Sequence, residues 1–461
     1  MARNRDLEPL GWPLVRLALV LALGGIAPLL DATVASVALH TLAGQFHVGV
    51  SSIQWVTTGY LLALAVTIPV SGWATDRFGD KPLWISSLLL FTVGSVLSGL
   101  AWNFASLVAF RALQGVAAGL ITPLVQTMLV RAAGREKLGR VITIVTILSL
   151  FPPIFGPVVA GLILANASWR WIFYVNVPIC IAAIILAWII VPRPEPRPQG
   201  QAPRRLDTTG FLLLSPALVA ILYGLSQAAT GDGFASVNAY APLAAGVVLA
   251  VGYLIHTARS AGHPLVDLRL FRIRSFGTAG GVLFFSGLSL YAAMFLLPLY
   301  YQEVRGQDAL AAGLLLAPQG LGALLSRPVG LLVDKIGARR IVLAGIALCA
   351  LGTVPYIFAG ARTSEVLLGC ALVVRGAGLS GANIAVVTGA MRDVPRPSVP
   401  DASTITRVLL QVGGSFGTAV LALILVTAGG TTAGAFHVAF GWAVGLTVLA
   451  LIPALLIPHG S

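Results

Sequence analysis

Two short charged segments, GWATDRFGDKPL at residues 72–83 and GLLVDKIGARRI at residues 330–341, each lie between long apolar runs. They are 258 residues apart (330 − 72 = 258) and share glycines beside acidic and basic residues. Two copies of one such loop between hydrophobic helices indicate a duplicated membrane domain. The defining residues are Gly72, Asp76, Arg77, Gly79 and Lys81 in the first charged loop, and Asp334, Lys335, Gly337, Arg339 and Arg340 in the second.

The composition of the chain supports a membrane protein. Of its 461 residues, 57% are hydrophobic and only 10% are charged, which excludes an ordinary soluble domain. The apolar runs are about 20 residues long, enough to cross a bilayer as helices. They are continuously apolar, whereas strands of a membrane barrel alternate. We interpret the net charge of +13 as a topological signal and expect no nucleic-acid partner.

The apolar runs predict an all-α protein with fourteen spans and both termini in the cytoplasm. Of the 29 Lys and Arg residues, 22 fall in loops on the predicted cytoplasmic side, 3 on the opposite side and 4 within spans. The predicted spans are 14–39, 51–75, 82–101, 104–130, 140–165, 170–192, 208–228, 239–258, 275–302, 308–333, 340–359, 364–391, 402–428 and 434–457.

The order of the spans predicts three regions. Residues 1–195 form a first six-helix bundle, residues 196–274 a linker with two additional helices, and residues 275–461 a second six-helix bundle. A Pro- and Arg-rich stretch after the sixth span is typical of a solvated, semi-rigid linker. Arg111 and Arg375 lie in similar segments 264 residues apart (375 − 111 = 264), close to the offset of the charged loops.

Asp31 is the clearest candidate for a functional side chain. It is an acidic residue inside the first apolar span, and charges at that depth are costly and usually functional. In water-poor surroundings a carboxyl group can take up and release a proton, and its negative charge would also favour a cationic substrate. The alternative is a structural carboxylate that is permanently paired with an arginine.

Arg111, in the fourth span, is the predicted partner of Asp31. The two residues have similar depths, and the arginine would stay charged and affect proton binding by a nearby carboxyl group. The alternative is a polar contact between helices, helped by the close packing that Gly115 and Gly119 allow. Glu303, at the end of the ninth span, is interpreted as a solvated rim charge, with a secondary proton or cation site as the alternative.

The fifth span has a run of helix-breaking residues, SLFPPIFGPVVAG, at residues 149–161. Prolines remove backbone hydrogen bonds and glycines permit a bend and close contact. The sequence therefore predicts a bent helix. The residues that we assign to this bend are Pro153, Gly156, Pro157 and Gly161.

Several of these motifs resemble one transporter family. The first charged loop is similar to the Gly-x-x-x-Asp-Arg-x-Gly-x-Lys loop of the major facilitator superfamily. The segment LLDATVASVALH around Asp31 resembles the first-helix motif of its fourteen-helix drug:proton antiporters, from which it departs at Ser36 and His40. Gly156, Pro157 and Gly161 match the core of the antiporter motif, and the segment from Arg111 to Gly119 resembles a motif linked to proton coupling.

The resemblance implies a transporter rather than an enzyme. It implies alternating access, with the charged loops as conformational gates, coupling through Asp31 and Arg111, and export of hydrophobic, including cationic, drugs or toxic compounds. We expect the proton gradient to drive the protein without a cofactor, since no ATP-binding P-loop and no metal-ligand spacing occur. Candidates to line the substrate cavity are Trp55, Tyr60, Gln114, Phe284, Phe285 and Tyr291.

Other readings of the same helices remain open. A lipid or glycolipid flippase would share an apolar cavity, a uniporter or symporter would share the fold, and a scaffold or sensor would share the helix count. The expected partners are a small hydrophobic substrate, protons and the lipid bilayer. We expect a monomer in a bacterial inner membrane.

Overall fold

The computed structural model describes residues 10–48, 53, 55–149, 151–192, 206–228, 233–259, 264–307, 309–326, 328–430 and 432–458, and in this part of the chain the regular structure is helical. The first group of helices is α1 Trp12–Phe46, α2 Trp55–Thr67, α3 Val70–Phe78, α4 Asp80–Gly99, α5 Phe104–Leu148, α6 Phe151–Asn166, α7 Trp171–Tyr174 and α8 Asn176–Ile190.

Two further helices follow, α9 Thr208–Ala228 and α10 Val237–Arg259. The last group is α11 Arg274–Glu303, α12 Ala309–Leu315, α13 Ala317–Leu325, α14 Val329–Ile336, α15 Ala338–Ile357, α16 Glu365–Arg392, α17 Val399–Thr427, α18 Ala433–Leu449 and α19 Leu451–Leu455. Short 3-10 helices occur at Gly233–Ala235, Leu268–Arg272 and Arg396–Ser398.

Within the described residues, 12 helices are long and apolar enough to cross a membrane, and up to 13 spans result if the bent pair α2 and α3 is one span. The predicted span 140–165 is divided between the end of α5 and the 16-residue α6, and residue 150 between them lies outside the described residues. The all-helical membrane fold is confirmed, whereas the count of fourteen and the side on which the termini lie stay predictions.

Prolines and glycines break the helices at corresponding places. Pro69 precedes α3, which is bent by 58° from α2. Pro328 precedes α14 in the same way, 259 residues later (328 − 69 = 259). Proline lacks an amide N–H and cannot continue the hydrogen bonding of a helix. Within α5, Gly134 adopts φ 64° and ψ −178°, which separates the fourth predicted span from the fifth.

The helices before residue 192, here the first half, pack mainly around α1 and α5. Those after residue 274, the second half, pack mainly around α11, α16 and α17. The additional helix α9 contacts both α2 and α17, and the Ser215 hydroxyl donates to the Val66 carbonyl at 2.9 Å. Leu218 and Leu222 of α9 pack with Ala65 and Val408. Helix α9 therefore joins one helix of each half, while the predicted division into three regions stays a prediction.

Candidate functional site

Asp31 lies in the middle of α1 and is completely buried. Its Oδ2 atom forms an ion pair with Nη1 of Arg111, from α5. Its Oδ1 atom accepts hydrogen bonds from Nε2 of Gln114 at 3.2 Å and from Nδ2 of Asn176, in α8, at 2.8 Å. Three side chains from α5 and α8 thus enclose the carboxylate, and the structure brings the predicted pair Asp31 and Arg111 into direct contact.

Arg111 is held from several sides. Its Nε atom donates to the Val56 carbonyl at 3.1 Å, and its Nη1 atom donates to Oε1 of Gln114 at 2.9 Å. Its guanidinium carbon lies 4.4 Å from the ring centroid of Tyr60, close enough for a cation–π contact. These contacts fix the guanidinium beside Asp31, so that the cation cannot move away from the carboxylate without breaking other bonds.

Gln114 connects the ion pair to α4. Its Nε2 atom also donates to the Ser95 hydroxyl at 2.7 Å, and its Oε1 atom accepts from the Ser98 hydroxyl at 3.1 Å. A Cβ atom added at Gly94 would lie 2.7 Å from the side chain of Gln114, so the close approach of α4 requires glycine there. Gln114 was predicted to line a cavity, but the structure buries it completely in this network.

Among the described residues, the groups that hydrogen-bond to the Asp31 carboxylate are all donors. Arg111, Gln114 and Asn176 each present an N–H group to it, an arrangement that suits the ionised form. A protonated Asp31 would instead need an acceptor for its O–H group. Oδ1 of Asn176 is buried and has no hydrogen-bond partner among the described residues. A rotation of this amide would offer that oxygen to the proton.

The predicted bend lies directly beside Asp31. The Thr33 hydroxyl, two residues after Asp31, donates to the Pro152 carbonyl at 3.3 Å. A Cβ atom at Gly156 would lie 2.2 Å from that same hydroxyl, whereas a Cβ atom at Gly161 would meet nothing within 4 Å. The side chains of Pro153 and Pro157 lie outside the described part. The predicted motif therefore contacts the helix of the carboxylate through Gly156 and Pro152.

The two charged loops have the same backbone geometry. Gly79 has φ 84° and ψ 158°, and Gly337 has φ 87° and ψ 154°. Each glycine ends one helix and precedes the next, and its conformation is one that only glycine adopts readily. The two glycines are 258 residues apart (337 − 79 = 258), the offset of the two sequence motifs.

The ion pairs of the first charged loop lie within the first half. Nη1 of Arg131, in α5, lies 2.6 Å from Oδ1 of Asp80, and its Nη2 lies 3.6 Å from Oδ1 of Asp76. The Lys81 ammonium donates to the carbonyls of Trp188 and Val191, both at 2.8 Å, at the C-terminal end of α8. This loop therefore joins helices α3, α4, α5 and α8. Arg131 lies outside both charged motifs, so the sequence pattern did not identify this role.

The remaining predicted loop residues are less enclosed. Arg77, Lys335 and Arg340 are exposed, and Arg339 is partly exposed. The side chain of Asp334 lies outside the described part, so the gating role of this second loop stays a prediction.

Contacts between the two halves occur beside the charged loops. A Cβ atom at Gly72 would lie 2.8 Å from Oδ1 of Asp401, near the start of α17. The corresponding Gly330, in the second half, contacts the first half. A Cβ atom at Gly330 would lie 2.6 Å from the carbonyl oxygen of Gly139, in α5. The hydroxyls of Ser71 and Thr404 lie 2.9 Å apart. We call this side of the molecule the charged-loop face, and it is closed by these contacts.

The other cavity candidates have varied surroundings. Trp55 is exposed and stacks on Tyr223 of α9, whereas Tyr60 is buried and donates to the Pro28 carbonyl at 3.2 Å. Tyr291 donates to Oε1 of Gln411 at 3.3 Å.

Phe284 and Phe285 contact each other edge to face and are partly exposed. Glu303 is exposed at the last residue of α11 and is not among the residues that contact Asp31 or Arg111. The structure therefore brings Tyr60 and Gln114, but not Glu303, to the predicted coupling pair.

Known proteins resemble this chain in sequence and in fold. The family model described as Major Facilitator Superfamily matches residues 21–418. The multidrug resistance protein B homolog of Mycobacterium tuberculosis (strain H37Rv) is 37% identical over 415 residues, which cover 89% of this chain and 76% of that protein. The multidrug export protein EmrB of Haemophilus influenzae is 31% identical over 413 residues, which cover 89% of this chain and 80% of that protein.

Two solved structures share the fold. The human organic anion transporter MFSD10 superposes with a TM-score of 0.66 at 15% sequence identity, covering 97% of this chain and 100% of that one. The proton:xylose symporter XylE superposes with a TM-score of 0.64 at 16% sequence identity, covering 97% of this chain and 96% of that one. The names of the relatives are consistent with the resemblance to the drug:proton antiporter branch. From the family match over most of its length and from these relatives, we conclude that the chain belongs to the major facilitator superfamily.

Proposed function

We propose that the protein is a proton-coupled antiporter that exports hydrophobic small molecules by alternating access, with Asp31 as the proton-carrying group. The observation that carries this proposal is the buried carboxylate of Asp31. It accepts hydrogen bonds from three N–H donors on two other helices, and one of these donors is Arg111. An intramembrane acid of this kind usually belongs to an ion or proton pathway. The names of the multidrug relatives support small-molecule export.

Protonation of Asp31 would change the forces that hold the first half together. A neutral Asp31 loses its charge attraction to Arg111, and its new O–H group has to find an acceptor among groups that now donate to it. The Asn176 amide, in α8, would rotate, and α1, α5 and α8 would shift against each other. Because α6 contacts α1 beside Asp31 through Gly156, the shift would be passed to α6.

Alternating access also needs a side that opens and closes. The charged-loop face is closed through Gly72 with Asp401 and through Gly139 with Gly330. By the distribution of Lys and Arg, this face would lie in the cytoplasm of a bacterial inner membrane. The described conformation would then be the one that releases substrate outward and takes up protons. The proton gradient would drive the cycle without a cofactor.

The test compares wild type with Asp31→Asn in proteoliposomes under an imposed pH gradient. Two dyes of opposite charge are followed, ethidium and 8-anilino-1-naphthalenesulfonate, together with their binding to the purified protein. We expect the gradient to accelerate transport by the wild type, and Asp31→Asn to lose this acceleration while still binding dye. Ser289→Ala, which changes the corresponding position of the second half, is the matched control and should respond to the gradient as the wild type does.

Other outcomes would contradict parts of the proposal. Normal coupling in Asp31→Asn would make Asp31 a structural carboxylate. Dye transport by the wild type that ignores the gradient would indicate a uniporter. A wild type that moves neither dye under any gradient would contradict export of such compounds and would make lipid substrates the next candidates.

A further inference from the structure

The membrane interior of the described chain holds more positive than negative side chains. Asp31, Arg111, Arg375 and Arg407 lie well inside long helices of the bundle, and the first two neutralise each other in an ion pair. Two arginines remain. Charges in such surroundings are costly unless they are paired or serve a function, so the two uncompensated arginines require an explanation.

Arg375, in α16, is buried and is bound only by neutral acceptors. Its Nε atom donates to the Thr353 hydroxyl at 3.2 Å, its Nη1 atom to Oε1 of Gln319 at 3.1 Å, and its Nη2 atom to the Ser289 carbonyl at 2.8 Å. These bonds satisfy its N–H groups without neutralising its charge. Arg375 therefore contributes a fixed positive potential inside the second half.

Arg407 lies in α17, about 12 Å along the axis from the first residue of that helix. It is partly exposed although the helix is in the bundle interior. The residues beside it on α17 contact the first half: the Thr406 hydroxyl donates to Oε1 of Gln126, in α5, at 3.3 Å, and Val408 packs with Ala65 of α2. No acidic side chain of the described residues contacts it. Arg407 thus lies between the two halves, next to residues of both, with its charge uncompensated.

The neighbours of Arg407 suit an aromatic compound with a polar group. Gln411 follows Arg407 by one helical turn and accepts the hydrogen bond from Tyr291. Tyr291, which is partly exposed, adds aromatic surface. A guanidinium binds carboxylate and sulfonate groups through parallel N–H donors. In an alternating-access carrier, the space between the two halves is where substrate binds.

We propose that the exported molecule is an organic anion with an apolar aromatic body, and that Arg407 binds its carboxylate or sulfonate group. This inference rests on the proposed export function and specifies its substrate class. It replaces the expectation of a cationic substrate, which depended on Asp31. Both oxygens of that carboxylate are occupied by Arg111, Gln114 and Asn176, and the side chain is completely buried. Asp31 is therefore not available to a cation.

The test is equilibrium binding of three compounds that share one aromatic body. These are 1-naphthaleneacetate, which is an anion, 1-naphthaleneethanol, which is neutral, and 1-naphthaleneethylammonium, which is a cation. We expect the purified wild type to bind the anion about tenfold more tightly than the cation. Arg407→Gln should weaken binding of the anion about tenfold and leave the neutral alcohol within about twofold. Arg407→Lys should retain most of the preference, since it keeps the charge.

Arg362→Gln is the matched control, because it removes one positive charge from an exposed position and should change none of the three affinities. The proposal is overturned if the wild type does not bind the anion more tightly than the cation, including the case of no binding. Equal weakening of all three compounds by Arg407→Gln would also overturn it, since that result indicates a structural role. Binding is measured without a pH gradient, so a failure of proton coupling would contradict the proposed function alone.

Discussion

Ser289 stands at the position of the second half that Asp31 occupies in the first, 258 residues earlier (289 − 31 = 258). Thr353 follows Ser95 by the same distance (353 − 95 = 258). Ser289 and Thr353 both bind Arg375, the buried arginine of the second half. The duplicated chain therefore has a buried arginine in each half but a carboxylate beside only one of them, so the two clusters cannot have the same proton chemistry.

Asn176 should stabilise the ionised form of Asp31. Asn176→Ala removes a buried donor to a charged acceptor, and we expect it to lower the free energy of unfolding by about 1.5–3 kcal/mol. Thermal and denaturant unfolding of the purified protein measure this change. Asn166→Ala is the control, since that exposed amide donates only to the Leu162 carbonyl. Equal losses in both variants would contradict a special role for Asn176.

The contact between Gly139 and Gly330 should control closure of the charged-loop face. Even a Cβ atom added at Gly330 would lie 2.6 Å from the Gly139 carbonyl oxygen. Gly330→Val adds two further methyl groups there, so this face should open more often. A cysteine introduced at the buried Ser71, in a chain whose exposed Cys370 is changed to serine, should then react several-fold faster with an impermeant maleimide.

Gly441→Val is the control for this experiment, because a Cβ atom at Gly441 meets nothing within 4 Å. Unchanged labelling of the cysteine at position 71 in the Gly330→Val protein would show that the contact does not limit opening.

The glycines of the two charged loops should be equally intolerant of alanine. Gly79 and Gly337 have positive φ with extended ψ, a conformation in which a Cβ atom costs about 1–3 kcal/mol. Each alanine variant should lower the unfolding temperature, and the double variant should lower it by roughly the sum. Gly445→Ala, within α18, should leave the unfolding temperature unchanged or raise it slightly. A Gly337→Ala protein as stable as the wild type would argue against equivalent loops.

Asp207 should hold the two additional helices together. Its Oδ1 atom accepts from the Gly210 amide at 2.8 Å, its Oδ2 atom accepts from the Leu265 amide at 3.2 Å, and His256 lies 3.0 Å away. Asp207→Ala should lower the free energy of unfolding by about 0.5–2 kcal/mol. Asp267→Ala, which removes only the cap of a short 3-10 helix, should have a smaller effect. The same loss in both would contradict this role.

Charge made part of the site predictable from sequence. Asp31 and Arg111 stand out because acids and arginines are rare in apolar spans. Asn176 does not, although it donates directly to Asp31, because it is a neutral side chain 145 residues away that lies at the start of another helix. Only the packing of α1 against α8 reveals this partner. The same holds for Ser95, whose hydroxyl has no local pattern to mark it.

Hydropathy located most of the spans but not the bend between α2 and α3. The predicted span 51–75 runs through Pro69, where the structure turns by 58° between α2 and α3. The mean hydropathy of a span does not change noticeably when one residue, here Pro69, lacks a backbone N–H group. The bend was therefore missed, although its cause is visible in the sequence. The charged loops, in contrast, were located correctly, because their glycines and charges interrupt the apolar pattern.

The carboxylate of Asp31, inside α1, bears on the energetics of transport. As the proposed proton carrier, Asp31 would load one proton per cycle, whereas the corresponding Ser289 has no group that could load one. If that proton moves inward while a singly charged anion moves outward, two elementary charges cross the membrane in the same electrical sense. Each gains about 2.3 kcal/mol per 100 mV. The membrane voltage would then contribute twice to every cycle, and export would continue when the pH gradient has collapsed.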